Sequence, residues 1–156
     1  MKIVDRSQTR ARMTRDGRMA YNDPKDHVMT RVTAAVLRKG GLILIARRKA
    51  GLSSGGLWEF PGGTVEPGET PERGLARELK EEFDIEARIG ALAATGRGTL
   101  ASGPFELLAY EVEHLGGEFR LRSHDEIRWV RLEDLAGYDL PAADREVAER
   151  LLGMGP

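Results

Sequence analysis

The chain has 156 residues, 40% of them hydrophobic, which suits one globular domain with a real core. A formal net charge of −1 and a sequence pI near 6.3 give no global attraction to duplex DNA or anionic membranes. The absence of cysteine excludes disulfides, thiolate catalysis and cysteine-held metals, and no apolar run approaches the roughly 20 residues that cross a bilayer.

Residues 1–27 are polar and arginine-rich, with Arg6, Arg10, Arg12, Arg15 and Arg18 set among small residues. No apolar stretch of a secretory signal is visible there, so a cytoplasmic protein is expected. Composition alone reads as a disordered basic arm. Asp16-Gly17, however, is a hairpin-turn pair, and the arm is expected to pack on its own domain or on a partner subunit. The folded domain is expected to span residues 28–156.

Val28 to Arg38 reads as a strand, Lys39-Gly40-Gly41 as a turn, and Leu42 to Ala46 as a buried returning strand. Arg47-Arg48-Lys49 follow, then a loop of small residues from Ala50 to Gly56 that closes on a short Trp58–Phe60 strand. Further on, Ala87 to Leu100 reads as an irregular extended stretch and Phe105 to Glu113 as a strand, with a turn at Gly116-Gly117. Glu126 to Val130 alternates like a half-buried strand, and Leu132 to Leu135 suggests a helical turn. A closing helix is predicted over Pro141 to Leu152, with Val147, Leu151 and Leu152 as its apolar contacts. A mixed sheet between helices, an α/β/α sandwich of the α/β class, is the natural packing.

The most informative stretch runs from Gly62 to Ile85, a glycine-rich loop leading into a helix crowded with carboxylates. Thr70 is a good N-cap, Pro71 suits the first helical position, and Glu72 places negative charge in the first turn. At roughly 100° per residue, Leu75, Ala76, Leu79 and Phe83 form one apolar stripe. Glu78, Glu81 and Glu82 fall on the adjacent face at i, i+3 and i+4 spacing. Like charges one turn apart destabilise a helix by a few tenths of a kcal/mol per pair, and Lys80 points elsewhere. A solvated acidic face is the bland reading. A hard divalent cation, Mg²⁺ or Mn²⁺, bound by those oxygens and by a substrate's phosphates is the sharper one.

Gly63, Glu69 and then Arg77-Glu78-Leu79-x-Glu81-Glu82-x-x-Ile85 resemble the Nudix box at its fixed spacings. The departure is Asp84, where that family usually has glycine, but aspartate tolerates the left-handed turn that ends a helix. Leu57-Trp58-Glu59-Phe60-Pro61-Gly62-Gly63 is similar to the strand that leads into the box in MutT-type members. The resemblance implies the same sandwich and a metal-dependent hydrolase that splits the pyrophosphate link of a nucleoside diphosphate derivative. It implies Glu78, Glu81 and Glu82 as metal ligands together with the Gly62 carbonyl. Arg77 would orient the glutamates, Glu69 would brace the loop against the helix, and Gly63 would serve the loop's shape.

MutT-type enzymes also use a glutamate at the end of a later strand as ligand or base. Glu113 matches it best, although alternation puts Glu111 on the same face, and His114 is a third candidate. Arg48 stands where such proteins hold a triphosphate, with Arg47 beside it. Phe60 corresponds to the phenylalanine that lines the base pocket, whereas Trp58 reads as core. Related sequences put a base-reading asparagine or aspartate in the opening turn of the closing helix, where Ala143 or Asp144 falls, depending on a one-residue shift. An ionised Asp144 can only accept hydrogen bonds, which suits the amine or ring N–H of guanine or cytosine. The expected reaction converts a nucleoside triphosphate to monophosphate and pyrophosphate. ADP-ribose or a nucleotide sugar is the alternative substrate, and a silent binding module the alternative class. Partners are expected to be small nucleotides, without a stable nucleic-acid complex or membrane, in a monomer or homodimer.

Overall fold

Leu42-Ile43-Leu44-Ile45-Ala46 is apolar at every position, the pattern of a strand covered on both faces. In the structure, a computed structural model describing residues 11–13, 15, 19–21 and 29–153, its last four residues are at most 1% exposed. In chain order the strands are β1 (Ala11–Met13), β2 (Met19–Tyr21), β3 (Thr30–Lys39), β4 (Leu42–Arg48), β5 (Trp58–Glu59) and β6 (Gly62–Thr64). Helix α1 (Pro71–Phe83) follows, then β7 (Glu86–Leu100), β8 (Gly103–Gly116), β9 (His124–Val130), a 3-10 turn (Leu132–Gly137) and α2 (Ala142–Gly153).

Strand β3 carries the architecture because its neighbour on one side changes halfway along. It pairs in parallel with β8 over Thr30–Leu37, but meets β4 only at Arg38 and Lys39. At Val32–Ala34 its partner on that side is β6. Strand β4 instead leans away with β9 and β5, so a cleft opens where β4 and β6 part. The α/β/α sandwich with a mixed sheet is as expected.

Alternation along the central strands sorts the core into two layers. Ala34, Val36, Ile43 and Ile45 face Val147, Leu151 and the other apolar residues of α2. Ala35, Leu37, Leu44 and Ala46 face Leu75, Leu79 and Phe83 of α1. Ala76, expected in the α1 stripe, is only half-buried, and Gly74 is buried in the face instead. A side chain at Gly74 would meet the Glu69 carboxylate.

The stretch Ala87–Leu100 corrects the expectation of irregular structure, since β7 is a 15-residue strand paired with β8 along most of its length. Register shifts near Ala87, Leu92 and Ala94 break its alternation, and its outer edge takes no strand partner among the described residues. Gly96 is needed where α2 crosses, because a Cβ there would strike the Ala143 carbonyl. At the N-terminus β1 and β2 pair antiparallel, Met13 opposite Met19. The Asp16-Gly17 turn and the expected packing of the arm lie outside the described residues.

Candidate active site

Helix α1 begins as its sequence demands. The Thr70 hydroxyl accepts the Arg73 N–H at 3.2 Å, Pro71 opens the helix, and Asp84 closes it in the left-handed region at φ 56°. Two backbone bonds from the Asp84 N–H to the Leu79 and Lys80 carbonyls complete the cap. Aspartate therefore makes the turn for which glycine is the usual choice.

Between those caps Arg77 is the hub. Its guanidinium donates to Glu69 Oε1 at 2.8 Å and Oε2 at 3.1 Å, to Glu78 at 3.1 Å and to Glu81 at 3.0 Å. Glu69 also accepts the Glu66 N–H at 2.7 Å, so one carboxylate ties the loop to the helix. The Arg77 hydrogen bond is the first cause holding the Glu69 carboxyl below its usual range. Glu78 behaves in the opposite way. Burial pushes its carboxyl up against the pull of Arg77, and the charges of Glu81 and Glu82 add to the rise. Its carboxylate lies directly against Gly63, where any Cβ would collide with it. The Thr33 hydroxyl in turn donates to the Gly63 carbonyl at 3.0 Å.

Glu82 Oε2 is buried and has no hydrogen-bond partner. A buried carboxylate oxygen without a donor is costly, and a cation satisfies it. Among the described residues, no three His, Asp or Glu side chains converge on one point closely enough to hold an ion. Arg77 accounts for this in part, since it draws Glu78 and Glu81 onto its own charge. The donor set itself consists of hard carboxylate oxygens, of the kind Mg²⁺ and Mn²⁺ take.

Beside Gly62 and Gly63 opens a cleft of about 390 Å³. Its walls include Arg48, Glu59, Phe60, Phe105, Leu107 and Asp144. Asp144 is 8% exposed and accepts the Phe60 N–H at 3.0 Å. Burial first, and then the nearby charge of Glu59, push its carboxyl up to about 7. Arg48 donates from Nε to the Ser53 carbonyl at 2.9 Å and places Nη1 3.5 Å from Glu59.

A model of the NUDIX domain matches residues 28–151. The chain belongs to the NUDIX family. The CTP pyrophosphohydrolase of Escherichia coli K12 is 35% identical over 126 residues, 81% of this chain and 93% of that one. The 8-oxo-dGTP diphosphatase of Haemophilus influenzae is 33% identical over 128 residues, 81% of this chain and 94% of that one. Among solved structures, the E. coli ORF135 protein superposes with a TM-score of 0.73 at 35% identity, covering 81% of this chain and 90% of that chain. A MutT protein from Methanosarcina mazei Go1 gives 0.73 at 29% identity, covering 80% and 94%. This is a Nudix hydrolase of MutT type.

The remaining expected residues of this Nudix chain divide clearly. Arg48, Phe60, Gly62, Gly63 and Asp144 line one cleft, while Arg77, Glu78, Glu81 and Glu82 of α1, tied to Glu69 in the preceding loop, lie beside it. Arg47 does not line the cleft. Its guanidinium lies 2.8 Å from Asp125, 3.3 Å from Glu126 and 5.5 Å from the centre of the Trp58 ring. Trp58 is buried against Tyr138, as a core residue. Glu113 pairs with Arg88 at 2.8 Å and is mostly exposed, and Glu111 pairs with Arg38 at 3.0 Å. Leu108 is the β8 residue level with Thr33 and Gly63, so Glu113 stands about 16 Å farther along the strand. His114 caps the Gly116 and Gly117 carbonyls, each at 2.9 Å. Sequence reading does not single out Glu59, although strand alternation between Trp58 and Phe60 turns it to the opposite side.

Proposed function

We propose that this Nudix hydrolase converts a nucleoside triphosphate to the monophosphate and pyrophosphate, with Mg²⁺ or Mn²⁺ held by Glu78, Glu81, Glu82 and the Gly62 carbonyl. The observation that carries this reading is the cleft, where a cationic Arg48, an apolar Phe60 wall and a buried Asp144 meet beside Gly63 and Glu78. The names of the CTP and 8-oxo-dGTP enzymes support the same substrate class by similarity. One water is consumed and the anhydride link between the α and β phosphorus breaks: the water oxygen joins the phosphorus attacked, and the bridging oxygen stays on the other.

When bound, the ion would neutralise charge on the phosphates and help to ionise the attacking water. Arg48 would hold the triphosphate, because its guanidinium fork matches phosphate oxygens. Phe60 would pack on the base, and Asp144 would read the base edge. Arg77 and Glu69 would keep the loop against α1, so that Gly63 stays pressed on Glu78. We take residues 1–27 as an arm ahead of a domain spanning 28–156, in a cytoplasmic monomer or homodimer that acts on free nucleotides. No helix among the described residues is long and apolar enough to cross a membrane.

A pyrophosphate-release screen over nucleoside triphosphates, ADP-ribose and nucleotide sugars, with Mg²⁺ and with Mn²⁺ at slightly alkaline pH, tests the reading. Pyrophosphate from a triphosphate is expected. Turnover of ADP-ribose or nucleotide sugars alone would replace the substrate class, and no turnover at all would favour a silent module. Glu113→Gln separates two roles for that residue. A general base at this position would cost about 10²–10⁴-fold in turnover. Its exposed pairing with Arg88 leads us to expect a rate within about twofold of wild type, since surface ion pairs contribute little.

A further inference from the structure

His124 is 2% exposed, yet it does not line the cleft. Strand β9 is bulged there: Arg47 faces Glu126 and Arg48 faces His124, with Asp125 as the extra residue. Such a bulge re-aims the neighbouring side chain. The imidazole turns inward and stacks on Phe83, the last residue of α1, with ring centres 5.0 Å apart and planes 25° from parallel. Its Nε2 lies 2.8 Å from Glu59 Oε1. A carboxylate only accepts, so Nε2 carries the hydrogen and donates. The other ring nitrogen, Nδ1, is buried with no partner.

That orphan nitrogen argues against a purely structural role. A phenylalanine would stack on Phe83 as well and bury no unpaired polar atom. What histidine adds is the donor aimed at Glu59. Glu59 Oε1 is shared with Arg48 Nη1, and both side chains stand in the cleft wall. A carboxylate free to swing into a cleft that takes phosphates would repel them. We propose that His124 is a positioning residue that pins Glu59 against the cleft wall, so that its carboxylate stays on Arg48 Nη1, holding that guanidinium in the wall, and does not swing toward the substrate's phosphates. The chain of contact runs from Phe83 at the end of the box helix, through His124 and Glu59, to Arg48. The consequence for substrate rests on the reading of the cleft as a triphosphate site.

The test pairs kinetics with a spectroscopic measurement that needs no substrate. His124→Phe keeps the stacked ring and removes the donor, and His124→Gln returns a donor near the Nε2 position. For the triphosphate turned over in the screen, H124F is expected to raise KM about tenfold with kcat within about twofold. H124Q is expected to recover most of that loss in KM, and H124F, which keeps the stacked ring, not to lower Tm. Added to Glu59→Gln, H124F should cost little more. A parallel fall in kcat and Tm without rescue by glutamine, or full additivity with E59Q, overturns the proposal. Because the chain has 3 histidines, ¹⁵N NMR of the wild-type protein is sparse enough to read each ring. An Nε2–H tautomer at His124 whose resonance moves in E59Q is expected. The opposite tautomer, or a resonance indifferent to E59Q, overturns the link to Glu59 whether or not the protein turns over any nucleotide.

Discussion

Glu82→Gln is expected to lower kcat by about 10²–10⁴-fold while leaving Tm unchanged or slightly raised. Its Oε2 is buried with no donor in reach, so the side chain contributes little to the fold that a neutral amide would lose. Removing one charge from the Glu78, Glu81, Glu82 face also relieves repulsion worth a few tenths of a kcal/mol per pair. Glu78 is a poorer probe, because it both packs on Gly63 and pairs with Arg77. Glu81 is more exposed and shares Arg77 with Glu78. Steady-state kinetics and thermal melts on the same E82Q preparation decide the matter. Near-normal turnover with saturating Mg²⁺ would remove Glu82 from the machinery.

The second large effect concerns Asp144. Burial raises its carboxyl from the ordinary 3.8 to about 7 in the fold. Between those values the folded chain holds a proton that the unfolded chain has released, so stability falls as pH rises through that window. Below about pH 4 the penalty is absent; above about 7 it is complete. Its size is on the order of 4 kcal/mol, since each tenfold change in proton affinity is worth about 1.4 kcal/mol. Asp144→Asn removes the buried charge while its amide oxygen still accepts the Phe60 N–H. The variant is expected to gain stability over wild type as pH climbs from about 4 to about 8, and to show little difference at the acid end. Denaturant titrations across that range measure it, and a difference independent of pH would contradict the assignment. The same proton bears on the base. A neutral carboxyl both donates and accepts, whereas the ionised form only accepts. Discrimination in favour of bases presenting an amine or ring N–H, cytosine and guanine among them, is therefore expected to sharpen between about pH 6 and about pH 8 in wild type but not in D144N.

Local chemistry is legible in the sequence wherever the deciding residues are neighbours along the chain. Thr70, Pro71 and Asp84 bound α1, and i, i+3, i+4 spacing gathers its acids, because a helix needs nothing distant to set its geometry. Arg48, Phe60 and Asp144 come to one cleft through the resemblance, which places them by position rather than by contact. Strand β7 escapes a reading by pattern because its bulges and its glycines at 90, 96 and 98 break the alternation that marks a half-buried strand. Arg47 sits next to Arg48 in the chain, yet the register turns it instead toward Asp125, Glu126 and Trp58. Glu59 and His124 lie 65 residues apart, and only the pairing of β4 with both β5 and β9 brings them together. No local pattern announces such a pair.

Isothermal titration of Mg²⁺, and separately Mn²⁺, into the wild-type protein and into a Glu78→Gln, Glu81→Gln, Glu82→Gln triple variant tests most directly why these acids crowd one helical turn. Saturable binding to the wild type and its loss in the variant are predicted. Equal affinity in the two proteins would contradict a metal role for that face and leave the family likeness as one of fold.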